Sequence, residues 1–276
     1  MLKAVAFLLA STIAAARPVG PRALPRQKSV SQRQNAVLRR GGASSLAVLT
    51  HAAVGAAVEA GALLGVVAGA RALPSGASVA IAKLKILPGE TVRGLPAAVW
   101  FAWCIVVFGS SAVGSLVDGS LRAATNQLLM PQKVPGEEGW YASLDRPPWE
   151  PPGFVFPIMW LIVSKPTQLL AVAKVCSSVG GEGEGAAALP WAPLAAYCLH
   201  LALGDAWNKV FFGQQKVFAG ALLITIFYGV LLTSAYLFSQ IDATAGLLMV
   251  PTCLWVTIAA ALNWSIYFRT GGAKSD

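Results

Sequence analysis

Five long apolar segments occupy the C-terminal part of the chain, at 96–117, 154–175, 190–212, 217–238 and 243–268. Each contains about 22–26 residues, which as an α-helix would span roughly 33–39 Å and cross a bilayer core of about 30 Å. None alternates polar and apolar residues with the period of two that marks a half-buried strand. The sequence therefore predicts an all-α membrane protein whose 95–270 region is a five-transmembrane-helix bundle.

The composition and the placement of charge support this class. Only 12% of the 276 residues are charged and the mean hydropathy is +0.63, whereas a soluble domain carries about 25% charge. Residues 1–94 hold 12 Lys and Arg against 2 acids, and residues 95–276 hold 9 against 10, so the net charge of +9 belongs to the N-terminal region. The body has no basic surface, and we expect no nucleic-acid partner.

The first 45 residues are typical of a targeting leader. A single lysine precedes a short apolar run, and small residues follow up to Ala16. These are the three parts of a signal peptide. Residues 17–45 are basic and contain no acid, which resembles the two-part plastid leader of algae with secondary plastids. We predict a signal or transit leader at 1–45 and location in a plastid envelope or other organelle membrane. The alternative is a plain secretory signal and a secretory-pathway membrane.

An Ala- and Gly-rich segment follows at 47–70, within a region (46–94) that we assign to a helix and a linker. The segment is long enough to span a bilayer. Glu59 lies inside it, and a carboxylate at mid-depth would cost roughly 2.5–3.5 kcal/mol. Two alternatives remain: a helix lying on the membrane surface, or an extra N-terminal span.

A proline- and tryptophan-rich stretch precedes the second apolar segment, at 140–160. Four prolines fall between Pro147 and Pro152, and each fixes φ and removes a backbone donor, so this run is neither helix nor inner strand. Trp and Tyr rings favour the membrane interface. We predict a stiff loop that acts as a lid over the mouth of the bundle, formed by Trp140, Tyr141, Leu144, Pro147, Trp149, Pro151 and Pro152.

The same stretch carries a longer pattern: a Trp-Tyr pair, then Leu, Arg-Pro, Trp and Pro-Pro, ending at Trp160. This pattern resembles the signature of the TspO/MBR family, the tryptophan-rich sensory proteins and translocator proteins. The resemblance continues with Trp207 and the Phe-Phe-Gly at 211–213, and in the fifth segment with Pro251, Trp255, Ala259, Leu262 and Asn263. It covers about 96–270 and implies the five-helix fold of the family.

The resemblance implies a ligand pocket as well. The ligands it implies are tetrapyrroles, above all protoporphyrin IX and haem, or sterols as in animal members. Trp160 and Trp255 match pocket positions, and a flat aromatic ligand stacks on indole faces. Polar pocket residues have changed, since Thr252 replaces the usual Tyr and Gly204 the usual Asn. The residues assigned to the pocket by resemblance are Trp160, Trp255, Trp207, Ala259 and Asn263.

Two charges inside apolar segments complete the predicted site. Lys165 lies near the middle of the second segment and Asp205 at a similar depth in the third. A charge within a membrane span is expensive and usually paired or functional. We predict that Lys165 and Asp205 form an interhelical pair at the pocket. The alternative is that Lys165 snorkels and Asp205 accepts a local bond. Pro166 is expected to kink the second helix and expose carbonyl groups toward the pocket.

The remaining polar residues give weaker signals. His200 is read as a buried, hydrogen-bonded histidine, with a single axial haem contact as the alternative. The four cysteines have no spacing typical of a metal site or disulfide framework. We expect no catalytic residue, metal or obligatory cofactor. Gly109, Gly114 and the serines between them would allow close helix contact and a homodimer.

The predicted function is an integral membrane protein that binds porphyrin or haem and senses, sequesters or transports it. Its partners would be the tetrapyrrole and the lipid bilayer, with sterol as a further ligand class. Two alternatives stay open at this point. One is a light-dependent, porphyrin-degrading enzyme, and the other is a sterol or lipid transporter.

Overall fold

A computed structural model describes residues 45–83, 91–92, 95–119, 139–179 and 189–270. Two helices come first, α1 (Ser45–Ala72) and α2 (Ser75–Lys83), followed by the paired two-residue strands β1 (Thr91–Val92) and β2 (Leu95–Pro96). The predicted leader lies outside the described residues except for Ser45, where α1 begins. The region predicted as linker contains α2 and this small hairpin. Ser78 of α2 accepts the backbone N–H of Ala98 at 3.4 Å, which ties α2 to the start of the body.

Five long helices form the body of the protein: α3 (Ala97–Val117), α4 (Val155–Val179), α5 (191–213), α6 (Val217–Ile241) and α7 (Ala243–Arg269). The first and last residues of each helix lie within about four residues of the ends of a predicted apolar segment, because the length of an apolar run determines where a membrane helix can stop. The predicted all-α, five-helix bundle with an additional N-terminal helix is confirmed.

The five helices pack in a closed ring. Helix α3 contacts α4, α4 contacts α7, α7 contacts α6, α6 contacts α5, and α5 returns to α3. Every backbone amide inside a bilayer must find its partner within the protein, and α-helices meet that requirement segment by segment. The ring leaves an interior between α3, α4, α5 and α6 that later holds the candidate site.

Helix α5 is the most polar member of the ring. Helices α1, α3, α4, α6 and α7 are long and apolar enough to cross a membrane. Helix α5 carries His200, Asp205 and Lys209, which lower its hydropathy. It compensates by position, since α6, α1 and α3 all pack against it and keep its polar side chains away from lipid.

Helix α1 lies along the outside of the bundle, in the groove between α3 and α5. Its buried residues recur at helical spacing, at Ala56, Ala60, Leu63 and Val67, while Val54 and Val58 are exposed. His51 and Gln214 line the same cavity at one end of α5, and the chain after α1 returns to the start of α3 at the other end. The helix therefore runs the length of the bundle, which favours the extra-span reading over a surface-lying helix.

Helix α4 changes its winding at Ile158–Ser164, where it forms a π-helix just before Pro166. The Lys165 N–H donates to the carbonyl of Trp160, five residues back, and Pro166 has no N–H to donate. The carbonyl of Leu161 is thereby left without its ordinary helical donor. The disturbance expected at Pro166 thus takes the form of a π-helical segment on its N-terminal side.

The turn between α6 and α7 is held by a single carboxylate. Asp242 caps α7 by accepting the backbone N–H of Ala245 at 2.8 Å, and it also accepts from Lys174 and Ser178 of α4 at 3.3 Å each. The Ala245 N–H, followed by the Lys174 cation, holds the pKa of Asp242 below its ordinary value of 3.8. Three helices therefore meet at this turn.

The packing of α6 against α7 at this turn leaves no room for a side chain at Gly246. A Cβ there would overlap the Ser239 Cβ and lie 2.9 Å from the Ser239 Cα, which is backbone and cannot swing away. We expect Gly246→Ala to destabilise the protein by about 1–3 kcal/mol, as overpacking does. Thermal unfolding of the full chain in detergent would measure this. Gly229→Ala in α6 is the matched control, because nothing lies within 4 Å of its new methyl group; equal effects of the two changes would contradict the packing argument.

Asp242 also predicts a pH dependence. A carboxyl whose pKa is lower in the folded than in the unfolded chain stabilises the fold above the unfolded value, and that stability is lost as pH falls through the folded value. The unfolded value is about 4. We expect Asp242→Asn to lower the unfolding temperature at neutral pH, and the difference from the parent to shrink as the pH falls below about 4. A difference that is constant across this range would refute the assignment.

Candidate functional site

A cavity of about 420 Å³ lies inside the ring, bounded by α3, α4, α5 and α6. Its wall contains aromatic, polar and charged side chains in close proximity, which is typical of ligand sites. Phe108 of α3, which is 49% exposed, forms part of its wall. Its polar, charged and indole-bearing wall residues include Ser111, Trp160, Lys165, His200, Asp205 and Trp207.

Of the two tryptophans predicted to stack on a ligand, Trp160 and Trp255, only one lines the cavity. Trp160 lines the cavity, whereas Trp255 is only 2% exposed and does not contribute to its wall. Trp255 packs edge-on behind Trp160 with ring centroids 6.4 Å apart, and against Phe156 at 5.2 Å. It supports the orientation of Trp160 and reaches a ligand only through that ring.

Two other predicted pocket residues also stand behind the wall. Asn263 of α7 accepts a hydrogen bond from the Trp207 indole N–H at 3.1 Å and donates to the carbonyl of Ala259 at 2.9 Å. Neither Asn263 nor Ala259 lines the cavity. Their role in the structure is to hold Trp207, which does line it, and so to join α5 to α7.

A chain of buried polar side chains crosses the bundle beside the cavity, and the sequence reading missed it. The Tyr197 hydroxyl donates to Gln168 at 3.1 Å, and the Gln168 amide donates to the Thr252 hydroxyl at 3.0 Å. Gln168 also lines the cavity. Its position one turn after Lys165, inside an apolar segment, was the available signal.

The predicted contact between Lys165 and Asp205 is not formed. Both residues line the cavity, yet among the described residues Lys165 makes no ion pair within 4 Å. Asp205 instead accepts a hydrogen bond from the Ser111 hydroxyl of α3. This bond joins α5 to α3, so it is neither the predicted pair nor the local bond of the alternative. Lys165 forms part of the cavity wall without an ion-pair partner among the described residues, which leaves a cation available to an anionic ligand.

His200 is packed between rings rather than paired. It is 1% exposed, stacks on Phe227 with centroids 6.1 Å apart, and meets Tyr197 edge-on at 4.8 Å. The expected burial of His200 is confirmed, and its Nδ1 atom has no hydrogen-bond partner of good geometry among the described residues. The imidazole thus forms part of the cavity wall as a flat, largely apolar surface.

The loop predicted as a lid is docked on the ends of α5 and α7. Trp140 packs on Phe211 with centroids 5.5 Å apart, and Tyr141 packs on Phe212 at 5.6 Å. At the other side Arg269 of α7 pairs with Asp145 at 2.9 Å. Leu144 packs partly buried against the core, and Pro147 is buried.

A small internal network stiffens this loop. The Tyr141 hydroxyl donates to Glu150 at 2.6 Å, and Arg146 pairs with the same carboxylate at 2.9 Å. Burial, with the bond to Glu150, raises the pKa of Tyr141 above its ordinary value, so the hydroxyl stays a donor. The loop residues 139–153 do not line the cavity, and Trp149 is 46% exposed. A role as lid therefore stays a prediction.

The profile of the TspO/MBR family matches residues 115–269. Protein CrtK of Rhodobacter capsulatus is 33% identical over 139 residues, which cover 49% of this chain and 81% of that protein. The tryptophan-rich sensory protein of Cereibacter sphaeroides is 33% identical over 142 residues, covering 51% and 80%. The translocator protein of Ovis aries is 29% identical over 136 residues, covering 49% and 78%.

The chain belongs to the TspO/MBR family. The matched region begins inside α3 and contains the cavity residues Trp160, Lys165, Asp205 and Trp207. Helix α1 lies before it. The TspO/MBR bundle of this protein therefore has an additional helix against its α3 and α5 faces, outside the region that the family profile matches.

Trp207 and Asn263 allow a test of how the wall is held. In Trp207→Phe the ring remains but the N–H is lost, which leaves the buried Asn263 oxygen without that donor. We expect a loss of about 1–3 kcal/mol in unfolding free energy. The double change Trp207→Phe with Asn263→Leu should cost less than the sum of the two single changes. Trp191→Phe, at a ring that is 41% exposed, is the control; strictly additive effects would show that the bond contributes nothing.

Proposed function

We propose that this TspO/MBR protein binds a tetrapyrrole, porphyrin or haem, in the cavity between α3, α4, α5 and α6, and that it senses, sequesters or moves that ligand. The observation that carries the proposal is the wall of the cavity. It combines indole rings from two helices with one ammonium group that has no ion-pair partner among the described residues. The family resemblance adds tetrapyrroles as the expected ligand class.

The size and chemistry of the cavity suit a flat, acidic, lipid-soluble molecule. Its volume of about 420 Å³ falls in the range of about 300–1,000 Å³ typical of small-molecule sites. Trp160 and Trp207 offer aromatic surface for stacking, and Lys165 can pair with a porphyrin carboxylate. Phe108, a half-exposed residue of the cavity wall, is where such a ligand would enter from the hydrocarbon region.

Two features favour light-dependent porphyrin breakdown as a second candidate function. The Trp160 and Trp255 rings are in edge contact, and the Trp255 N–H has no partner among the described residues. Indoles so placed could react with a photoexcited ring bound against Trp160. Sterol or lipid transport is a third possibility, which rests on the family resemblance alone.

The membrane in which the protein acts is also a matter of proposal. The protein is an integral membrane protein, and the acid-free basic leader supports a plastid envelope or another organelle membrane. A plain secretory leader would place it in the secretory pathway instead. A porphyrin-handling role fits a plastid, where tetrapyrroles are made and where free photosensitisers are harmful.

Titration of the purified full chain with protoporphyrin IX, followed by tryptophan quenching and the porphyrin absorption band, tests the proposal. Stacking on an aromatic ring is worth about 0.5–1.5 kcal/mol, so Trp160→Phe should weaken binding about 2- to 13-fold. Lys165→Met should weaken it through the lost carboxylate pair. Trp255→Phe should have a smaller effect than Trp160→Phe, since its ring lies behind the wall. Trp191→Phe is the control.

Each outcome of this titration has a clear meaning. Binding that is unchanged in both Trp160→Phe and Lys165→Met would reject the cavity as the porphyrin site. Loss of bound porphyrin in light but not in darkness, suppressed by Trp160→Phe, would favour the enzyme. Displacement of porphyrin by cholesterol at similar concentration would favour the sterol transporter.

A further inference from the structure

Glu59 places a carboxyl group between α1 and the bundle, at mid-length of a helix long and apolar enough to span a membrane. The residue is 2% exposed. Its carboxyl lies directly against Gly114 of α3, where any Cβ would overlap it. The absence of a side chain at Gly114 therefore makes the space that the carboxyl group occupies.

Asp205 of α5 lies beside this carboxyl group. Ser111, which donates to Asp205, is one turn before Gly114 on α3, and Lys209, one turn after Asp205 on α5, reaches the Glu59 carboxyl at 3.8 Å. Asp205 is 9% exposed, and Ser111 donates to its Oδ1 atom. The Glu59 Oε1 and Asp205 Oδ2 atoms are both buried and have no hydrogen-bond donor among the described residues. Two ionised carboxyl groups can only accept hydrogen bonds, so the two free oxygens cannot bond to each other. A proton on either group turns it into a donor to the other.

The charges around the pair also indicate one bound proton. Lys209 and Asp118 pair at 2.7 Å, and Lys209 reaches Glu59 Oε2 only at 3.8 Å. Lys165 on α4 lines the main cavity together with Asp205 and is the remaining cation near the pair among the described residues. Two carboxylates against one free cation would leave a net buried charge of −1, and one bound proton makes the set neutral, which a low-dielectric site strongly favours.

The pair also lies between two cavities. The cavity already described is lined by Asp205, Lys165 and Lys209. A second one, of about 330 Å³, lies between α1 and α5 and is lined by Glu59, His51, Asp118 and Lys209. Lys209 lines both, and the Asp118 side chain is 52% exposed. Titratable groups thus form a continuous series from the aqueous end of α3 to the interior of the bundle.

We propose that Glu59 and Asp205 form a proton-binding site that holds one proton between the two carboxyl groups and exchanges it with water through the second cavity, past Asp118 and Lys209. Buried acids of membrane helices mark proton pathways. The proposal does not depend on which ligand the main cavity binds. It gives α1 a chemical role, since this helix supplies one of the two carboxyl groups.

The groups that face the pair are accounted for helix by helix. Helix α3 contributes Asp118 and the Ser111 hydroxyl, α4 contributes Lys165, and α5 contributes Lys209 and, in the main cavity, His200. Helix α1 itself adds His51 to the second cavity. Helix α6 also touches α1 but carries no Asp, Glu, Lys, Arg or His. A metal ion is disfavoured, because Lys209 already occupies the neighbourhood of Glu59 with positive charge.

Infrared spectroscopy of the full chain tests the shared proton, since a protonated carboxyl group has a C=O stretch separate from that of carboxylates. At neutral pH we expect this band in the parent and its loss in both Glu59→Gln and Asp205→Asn. In each variant the remaining carboxyl group loses its acidic neighbour and ionises. Asp145→Asn, at an exposed carboxylate paired with Arg269, should keep the band. A parent without the band, or a band that survives either change, overturns the proposal.

Two further variants make every outcome informative. Glu59→Gln should fold at neutral pH, because a neutral amide replaces a neutral acid; failure to fold would mean that Glu59 is an ionised partner of Lys209. Gly55→Leu fills the second cavity and should slow deuterium exchange of the band several-fold, whereas Gly69→Leu, elsewhere on α1 with open space around it, should not. Equal exchange rates would exclude the proposed route.

Discussion

The position of α5 is the constraint on which the rest of this structure depends. A helix that carries Asp205 and Lys209 across a bilayer must hide both from hydrocarbon, because an unpaired charge there costs several kcal/mol. Helices α3 and α6 cover part of α5, and α1 covers the face that they leave. The polar residues then face inward or toward α1, where they meet Ser111 and Glu59. Both the groove in which α1 lies and the charged wall of the cavity follow from the need to shield the polar residues of α5 from hydrocarbon.

The π-helical turn of α4 serves the same interior. An α-helix that meets Pro166 loses one backbone donor, and the wider winding of Ile158–Ser164 moves the unpaired carbonyl by one residue, from Ile162 to Leu161. Trp160, Leu161 and Lys165, which line the cavity, all lie in or next to this turn. A regular helix would rotate these side chains relative to one another. The local sequence around Pro166 therefore helps to set which side chains reach the site.

The sequence alone predicts the helices well and the wall of the site only in part. The length of an apolar segment decides where a membrane helix begins and ends, so the predicted bounds of α3 to α7 agree with the structure to within a few residues. Which face of a helix meets a cavity depends on its rotation, and that is set by packing between helices distant in sequence. Trp255 was assigned to the pocket by resemblance, yet the rotation of α7 places it behind Trp160. The high cost of buried charge singled out Lys165 and Asp205, both of which line the cavity, but it could not name their neighbours. Glu59 belongs to a segment without a motif, and only the packing of α1 brings it to Asp205.

The position of α1 also bears on how this protein meets a second copy of itself. The predicted homodimer used the small residues of α3, including Gly114, as the surface for close helix contact. In the structure that surface at Gly114 is occupied by the Glu59 carboxyl of the same chain. A second copy could reach Gly114 only by displacing α1, and this would expose Glu59, Asp205 and Lys209 to lipid together. Since the burial of Glu59 and Asp205 favours the attached helix, a homodimer with α1 in place cannot use Gly114 as its contact.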